Sequence, residues 1–183
     1  MRTLHAYDRT RPRYPQPMVD AIIAATSGGD GLEVLDVGIG TGVAAQPFRE
    51  AGCRVLGVDV DERMAEFARH AGFEVEIARF EDWGSGGRRF DAVIAGQTWH
   101  RVDPVCGAAK AAAVLRPGGR LAVFWNVFQP PPDLSEAFAA VYRRVLRDTP
   151  FGRGTSGGLA ACSGQFTTAA GGIREEVAFG CPE

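Results

Sequence analysis

Short apolar runs alternate along the chain with stretches whose apolar residues recur at helical spacing, the pattern of strands and helices taken in turn. Met18 to Ala25 reads as a first helix that stops at Ser27-Gly28-Gly29. Leu32 to Val37 is short, β-branched and bounded by Gly31 and Gly38, which suits a strand buried on both faces. A helix is expected over Val43 to Ala51, ending at Gly52. Pro47 lies inside it, where a missing N–H and a clash with the preceding turn predict a kink or an early stop. Arg54 to Val60 follows as a second strand, then a helix over Glu62 to Ala71 with Asp61 as its N-cap, then a third strand over Glu74 to Ala78. Ser85-Gly86-Gly87 marks an exposed loop ahead of a fourth strand over Phe90 to Ala95.

Asp103-Pro104, an N-cap followed by proline at the first helical position, opens a helix over Val105 to Leu115. Arg116-Pro117-Gly118-Gly119 stops it, and Arg120 to Trp125 forms a fifth strand. Leu134 to Leu146 is a further amphipathic helix, with Pro132-Asp133 ahead of it and Glu136 completing a capping-box pattern. From Phe151 onward glycine recurs at 152, 154, 157, 158, 164, 171, 172 and 180, and the best strand there is a weak one over Glu176 to Phe179. Five strands separated by helices predict a doubly wound open α/β sheet with five parallel strands. The chain divides into an N-terminal arm over 1–17, an α/β domain over 18–147 and a Gly-rich tail over 148–183.

At 183 residues, 45% hydrophobic and 23% charged, the composition is that of a globular domain long enough to bury a core. A formal net charge of −2 leaves no basic field to hold nucleic acid or an anionic membrane. Cys53, Cys106, Cys162 and Cys181 are widely spaced and have no His at ligand distance, so no metal site is expected. The first residues lack an apolar leader and no apolar run approaches spanning length, so the expected location is cytoplasmic.

The candidate chemistry centres on Val34-Leu35-Asp36-Val37-Gly38-Ile39-Gly40-Thr41-Gly42, an apolar run ending in an acid and turning into alternating glycines. Such glycines permit positive φ and let backbone N–H groups approach a ligand at the carboxyl end of a parallel strand. About twenty positions further on, Asp59 closes the second strand, where a carboxylate can accept both hydroxyls of a ribose. A dinucleotide fingerprint would carry Gly or Ala where this chain has Val43, and a helix ahead of the glycine turn is unusual for it. Beyond the fourth strand, Gly96-Gln97-Thr98-Trp99-His100-Arg101-Val102-Asp103 faces the glycine turn across the crevice. His100 is the one group in that stretch whose ordinary pKa lies near neutrality. It reads either as a general base or as a residue that holds the loop through a backbone carbonyl. His5 and His70 read as solvated.

The nonapeptide resembles motif I of the class I S-adenosylmethionine-dependent methyltransferases. Three further stretches carry the same resemblance: Tyr7 to Pro15 matches a Y-D-x-x-R-P-x-Y-P entry segment, residues 96–103 a G-Q-x-W-H-x-V-D signature, and residues 115–121 an L-R-P-G-G-R-L step. It covers roughly Tyr7 to Leu146 and implies strand order 3-2-1-4-5 with S-adenosyl-L-methionine as cofactor. Ile39, where the family places a small residue, and Pro47 depart from its pattern.

The resemblance implies that Asp36, Gly38 and Gly40 seat the methionine part and that Asp59 holds the ribose. Val60 and Phe80 would bracket the adenine, with Glu81 or its backbone at the adenine edge. Gln97, Trp99 and His100 would meet cofactor and acceptor at the reactive end. Tyr7, Arg11 and Tyr14, on an arm lying over the cofactor, would serve the methionine carboxylate or the substrate. Arg11 is the candidate clamp for an anion, and the acceptor is a small molecule carrying a carboxylate or hydroxyl. The family ends in an antiparallel hairpin beside the fifth strand, and this hairpin is expected to be missing here. An open fifth strand would then offer an edge for a homodimer. Two other readings share the glycines and Asp59: an NAD(P)-dependent oxidoreductase, and a non-catalytic or vestigial nucleoside-binding protein descended from a methyltransferase.

Overall fold

The computed structural model of the chain describes residues 8–29, 31–126 and 132–145, together with two strands over 166–169 and 173–178. The elements in order are α1 (Gln16–Ala25), β1 (Glu33–Val37), α2 (Ala45–Glu50), β2 (Arg54–Asp59), α3 (Glu62–His70), β3 (Glu74–Ile77), β4 (Phe90–Gly96), a 3₁₀ turn (Trp99–Arg101), α4 (Pro104–Val114), β5 (Leu115–Phe124), α5 (Pro132–Val145), β6 (Phe166–Ala169) and β7 (Ile173–Ala178). They build one seven-stranded sheet in the order β3-β2-β1-β4-β5-β7-β6. The pairs among β1 to β5 are parallel, and β7 runs antiparallel to both β5 and β6.

The strand pleat sorts β1 onto two cores. Leu35 and Val37 enter a cluster with Val58, Phe80, Trp83, Val93 and the α4 residues Ala111 and Val114. Val34 faces the other way, toward Met18, Val19 and Ile22 of α1, Phe48 of α2, Ile94 and Phe124. Each such side chain withdrawn from water contributes about 1.5–3 kcal/mol, so the central strand is held from both faces. A third cluster joins Ile39, Ala45, Ala65, Ala68, Phe73 and Val75 beneath α3.

Three expectations are corrected. The terminal hairpin is present: β7 pairs Val177 with Ala122 and Glu176 with Val123, and β6 closes on β7. The edge of β5 is therefore taken by the same chain, which removes the ground for a homodimer through that strand and brings part of the expected tail into the sheet. Second, α2 begins at Ala45 rather than Val43, so Pro47 falls in its first turn, where no intrahelical N–H is needed, and no kink results. Third, α4 passes into β5 without an intervening loop, and Arg116 to Gly119 forms an irregularity inside the strand. Phe90 pairs with Leu115 while Ala92 pairs with Arg120. Asp91 clamps this bulge, accepting from Arg116 Nη1 at 2.6 Å and from the Glu33 N–H at 2.8 Å.

Candidate functional site

A cavity of about 560 Å³ opens at the carboxyl ends of β1, β2 and β4, where the direction of winding reverses. Its size suits a small-molecule ligand, for which such sites run about 300–1,000 Å³. Gly38 and Gly40 form its floor with φ of +69° and +57°. A Cβ on Gly38 would also lie 2.3 Å from Thr98 Cγ2, so the close approach of the β1 and β4 loops needs glycine twice over.

The N–H groups of this turn are committed inside the protein, contrary to the expectation that they face a ligand. Gly38 and Ile39 donate to the Val58 carbonyl at 2.7 and 3.3 Å, and Gly42 donates to the Ile39 carbonyl at 2.9 Å. The Gly40 N–H donates to Asp59 Oδ2 at 2.7 Å, and the Asp61 N–H to Asp59 Oδ1 at 2.9 Å. Each Asp59 oxygen keeps acceptor capacity beyond its one backbone donor. The carboxylate is thus fixed in direction at the cavity wall with room for two further donors.

Beyond Asp59 the wall is apolar. Val60 is 65% exposed, Phe80 presents one face of the buried cluster, and Met64 and Ala78 complete this end. Glu81 lines the same end, where its carboxylate accepts the Asp103 N–H at 2.8 Å and lies 3.7 Å from Arg79. These contacts, the Asp103 N–H foremost, hold Glu81 below the usual carboxylate range.

At the β4 end, Gln97 adopts φ of +62°, a left-handed conformation that non-glycine residues rarely take. Two contacts hold it there: its N–H donates to the Phe124 carbonyl at 2.9 Å, and its Nε2 to the Asn126 carbonyl at 3.2 Å. The following 3₁₀ turn sends its three side chains in different directions. Trp99 packs against the core and Phe80, with ring centroids 6.2 Å apart. His100 points outward and is exposed, while Arg101 returns to the cavity. Neither Trp99 nor His100, both expected at the reactive end, is among the residues that line the cavity.

The arm crosses the mouth. Arg11 and Tyr14 line the cavity, and Tyr7 lies outside the described residues. Tyr14 meets Phe124 edge to face at 4.7 Å, and the Pro12 carbonyl accepts from Asn126 Nδ2 at 3.4 Å. Thr41 Oγ1 donates to Asp8 Oδ1 at 2.8 Å, and Asp8 Oδ2 also accepts from Arg13 Nη2 at 3.2 Å.

Asp36 is not on the wall. It shares the pleat parity of Val34, is 1% exposed, and neither carboxyl oxygen has a hydrogen-bond partner among the described residues. Burial, with a smaller contribution from the charge of Asp59, pushes its carboxyl up to about 8. Asp36, expected at the methionine seat, thus lies behind the turn and off the cavity wall. The residue-type argument missed Asp8, Thr41, Thr98 and Arg101. Thr41 carried a signal as the one polar side chain of the glycine turn, and Asp8 as the acid of the Y-D-x-x-R-P-x-Y-P segment.

Residues 35–123 match the methyltransferase domain model. The chain is 37% identical over 123 residues to an uncharacterized methyltransferase of Mycobacterium tuberculosis, spanning 66% of this chain and 49% of the relative. It is 34% identical over 129 residues to a ubiquinone biosynthesis O-methyltransferase of Methylocella silvestris, spanning 67% of this chain and 44% of the relative. This chain thus spans about half the length of the curated relatives it matches. Among solved structures, a proposed type II methyltransferase of Anaeromyxobacter dehalogenans superposes with a TM-score of 0.67 at 26% identity, covering 87% of this chain and 69% of that one. In strand order, glycine turn and relatives alike, the chain is similar to the S-adenosylmethionine-dependent methyltransferases, and residues 35–123 carry the match to their domain.

Proposed function

We propose that the cavity binds S-adenosyl-L-methionine and that the chain transfers its methyl group to a small-molecule acceptor entering beside Gln97. One observation carries the reading: a single cavity joins the glycine turn, the fixed Asp59 carboxylate and the apolar Val60–Phe80 walls to the β4 end and the arm. The bound cofactor supplies a sulfonium, an already activated methyl donor. What remains for the protein is to hold two reactants in line and to exclude water. Asp59 accepts the ribose hydroxyls, and Val60 and Phe80 bracket the adenine. Arg11, Tyr14 and Gln97 bound the acceptor space, with Arg11 as clamp for an acceptor carboxylate. A cytoplasmic setting belongs to the same reading, on the ground that the four cysteines lack pairing or ligand spacing.

The rival readings lose support. A dinucleotide pyrophosphate needs free N–H groups at the turn, and those of Gly38, Ile39, Gly40 and Gly42 are committed. A vestigial protein was suggested by missing terminal strands, and β6 and β7 are in place.

Calorimetric titration of the full chain with S-adenosylhomocysteine, beside Asp59→Ala, tests the donor site. Binding that weakens by about 100-fold in the variant is expected, the loss of two hydrogen bonds to a charged group. No binding by a folded chain, or unchanged affinity in Asp59→Ala, refutes the assignment.

A further inference from the structure

Thr41 is the only polar side chain of the glycine turn, and it is 5% exposed. Thr41 lines the cavity, and its hydroxyl donates to Asp8 at 2.8 Å, in the arm. The arm is held at its far end as well, by the Tyr14–Phe124 contact and by the Asn126–Pro12 hydrogen bond. Arg11, which lines the cavity, lies between these two anchorages. Arg13, reaching back to Asp8 at 3.2 Å, braces the intervening span.

We propose that Asp8 is a positioning residue: by accepting the Thr41 hydroxyl it latches the arm to the glycine turn, so that occupancy of the cofactor seat and closure of the arm over the cavity are coupled. The inference rests on the donor-site reading above. Because Thr41 of the turn and Arg11 of the arm line the same cavity, a ligand seated against both holds the latch closed, and an intact latch keeps Arg11 at the cavity wall. Linkage makes the effect reciprocal: releasing the arm weakens the cofactor, and the cofactor protects the arm.

The test uses the full chain and four variants: Asp8→Asn, Thr41→Val, Thr41→Ser and the Asp8→Asn/Thr41→Val pair. Trypsin cleavage after Arg9 and Arg13, both exposed, reports release of the arm. Mass analysis of the first fragments separates cutting confined to the arm from general unfolding. Cleavage in Asp8→Asn and Thr41→Val is expected to accelerate about tenfold, and S-adenosylhomocysteine affinity to fall by a similar factor, as for one charge-assisted hydrogen bond. Thr41→Ser, which keeps the hydroxyl, stays within about twofold of the wild type, and the double variant is no worse than either single one. S-adenosylhomocysteine slows arm cleavage in the wild type and not in Asp8→Asn.

Multiplying effects in the double variant, or affinity lost in Thr41→Val with arm cleavage unchanged, would overturn the proposal, because Thr41 would then act without Asp8. Unchanged cleavage in Asp8→Asn overturns it equally. If the wild type binds no S-adenosylhomocysteine, the donor-site reading and the coupling fall together, whereas the ligand-free cleavage comparison still decides whether Asp8 holds the arm.

Discussion

Asp36→Asn is the substitution whose effect depends most directly on the interior of the sheet. The Asp36 carboxyl is pushed from an ordinary 3.8 to about 8, chiefly by burial. At ~1.4 kcal/mol for each tenfold in proton binding, the folded chain holds this proton more tightly than the unfolded chain by at most about 5–6 kcal/mol. With the higher effective dielectric of real interiors, roughly half of that is expected in a measurement, about 2–3 kcal/mol. The sign follows from proton counts. Between about pH 4 and pH 8 the folded chain binds more protons than the unfolded one, so stability falls as pH rises through that window and levels off above it. Asn has nearly the same shape and no charge at any pH, so the variant lacks this slope. Its extra N–H donors cost about 1–3 kcal/mol at every pH, so the slopes are the quantity to compare, not the absolute stabilities.

The assay is urea unfolding of both proteins at several values between about pH 5 and pH 8.5, read by tryptophan fluorescence. Groups common to both proteins cancel in the difference of slopes. Asp61, Glu76, Glu81 and Asp103 all lie below their ordinary values and act only at acid pH, while the Cys53 thiol is raised from 9.0 and acts only above that. Wild-type stability is expected to decline across the range and that of Asp36→Asn to stay nearly level. A shared slope refutes the argument. So does a variant destabilised by several kcal/mol to the same extent from about pH 5 to pH 8.5, which would mean that the carboxylate is charged and partnered throughout.

Two further predictions concern packing and the sheet's open side. A Cβ on Gly57 would lie 2.5 Å from Ile39 Cδ1, so Gly57→Ala should cost about 1–3 kcal/mol in urea unfolding. The same substitution should be nearly neutral in an Ile39→Ala background, where the obstruction is gone; an equal cost in both backgrounds would break the link. Glu76 accepts from Arg88 Nη2 at 3.0 Å and from Trp83 Nε1 at 2.5 Å, and these bonds, that of Arg88 first, hold its carboxyl below the usual range. The stability that it contributes is present above its ordinary 4.5 and is lost as pH falls through the lowered value, so Glu76→Gln should show a shallower acid limb in a pH-dependent melting series.

How much of this was legible depended on whether a residue's role is set locally. The turn at Gly38 and the position of Asp59 could be read because a buried strand, alternating glycines and an acid at the next strand's end are one contiguous pattern. The pleat of β1 was legible in principle too: Asp36 is two residues from Val34 and one from Val37, so it had to share a face with Val34 and could not share the cavity face of Val37. An acid closing an apolar run suggests a ligand contact all the same, and only the pleat argues against it. The hairpin was illegible for a different reason. Phe166–Ala169 and Ile173–Ala178 are short strands in a glycine-rich stretch, and what specifies them is the edge of β5, far away in sequence. Trp99 and His100 could not be aimed because nothing in the residue types distinguishes a 3₁₀ turn from a loop, and the choice decides which side chain faces inward.

The two ends of the cavity are built on different principles. At the donor end the backbone is tied to itself, through the N–H groups of Gly38, Ile39 and Gly40, so little there can move without opening β1 from β2. At the other end the wall depends on side-chain bonds among segments remote in sequence: Gln97 to Asn126, Asn126 to Pro12, and Tyr14 against Phe124. Gln97 is also the one described non-glycine residue at positive φ, a conformation that persists because its two bonds over-determine it. On the proposed reading, a rigid seat suits a nucleoside that is always the same, and a rim held by side chains suits an acceptor that sets specificity. On this ground variation among related chains should appear at the cavity residue Arg101, an open position of the 96–103 signature, and spare the turn, Asp59 and the motif residues Arg11, Tyr14 and Gln97.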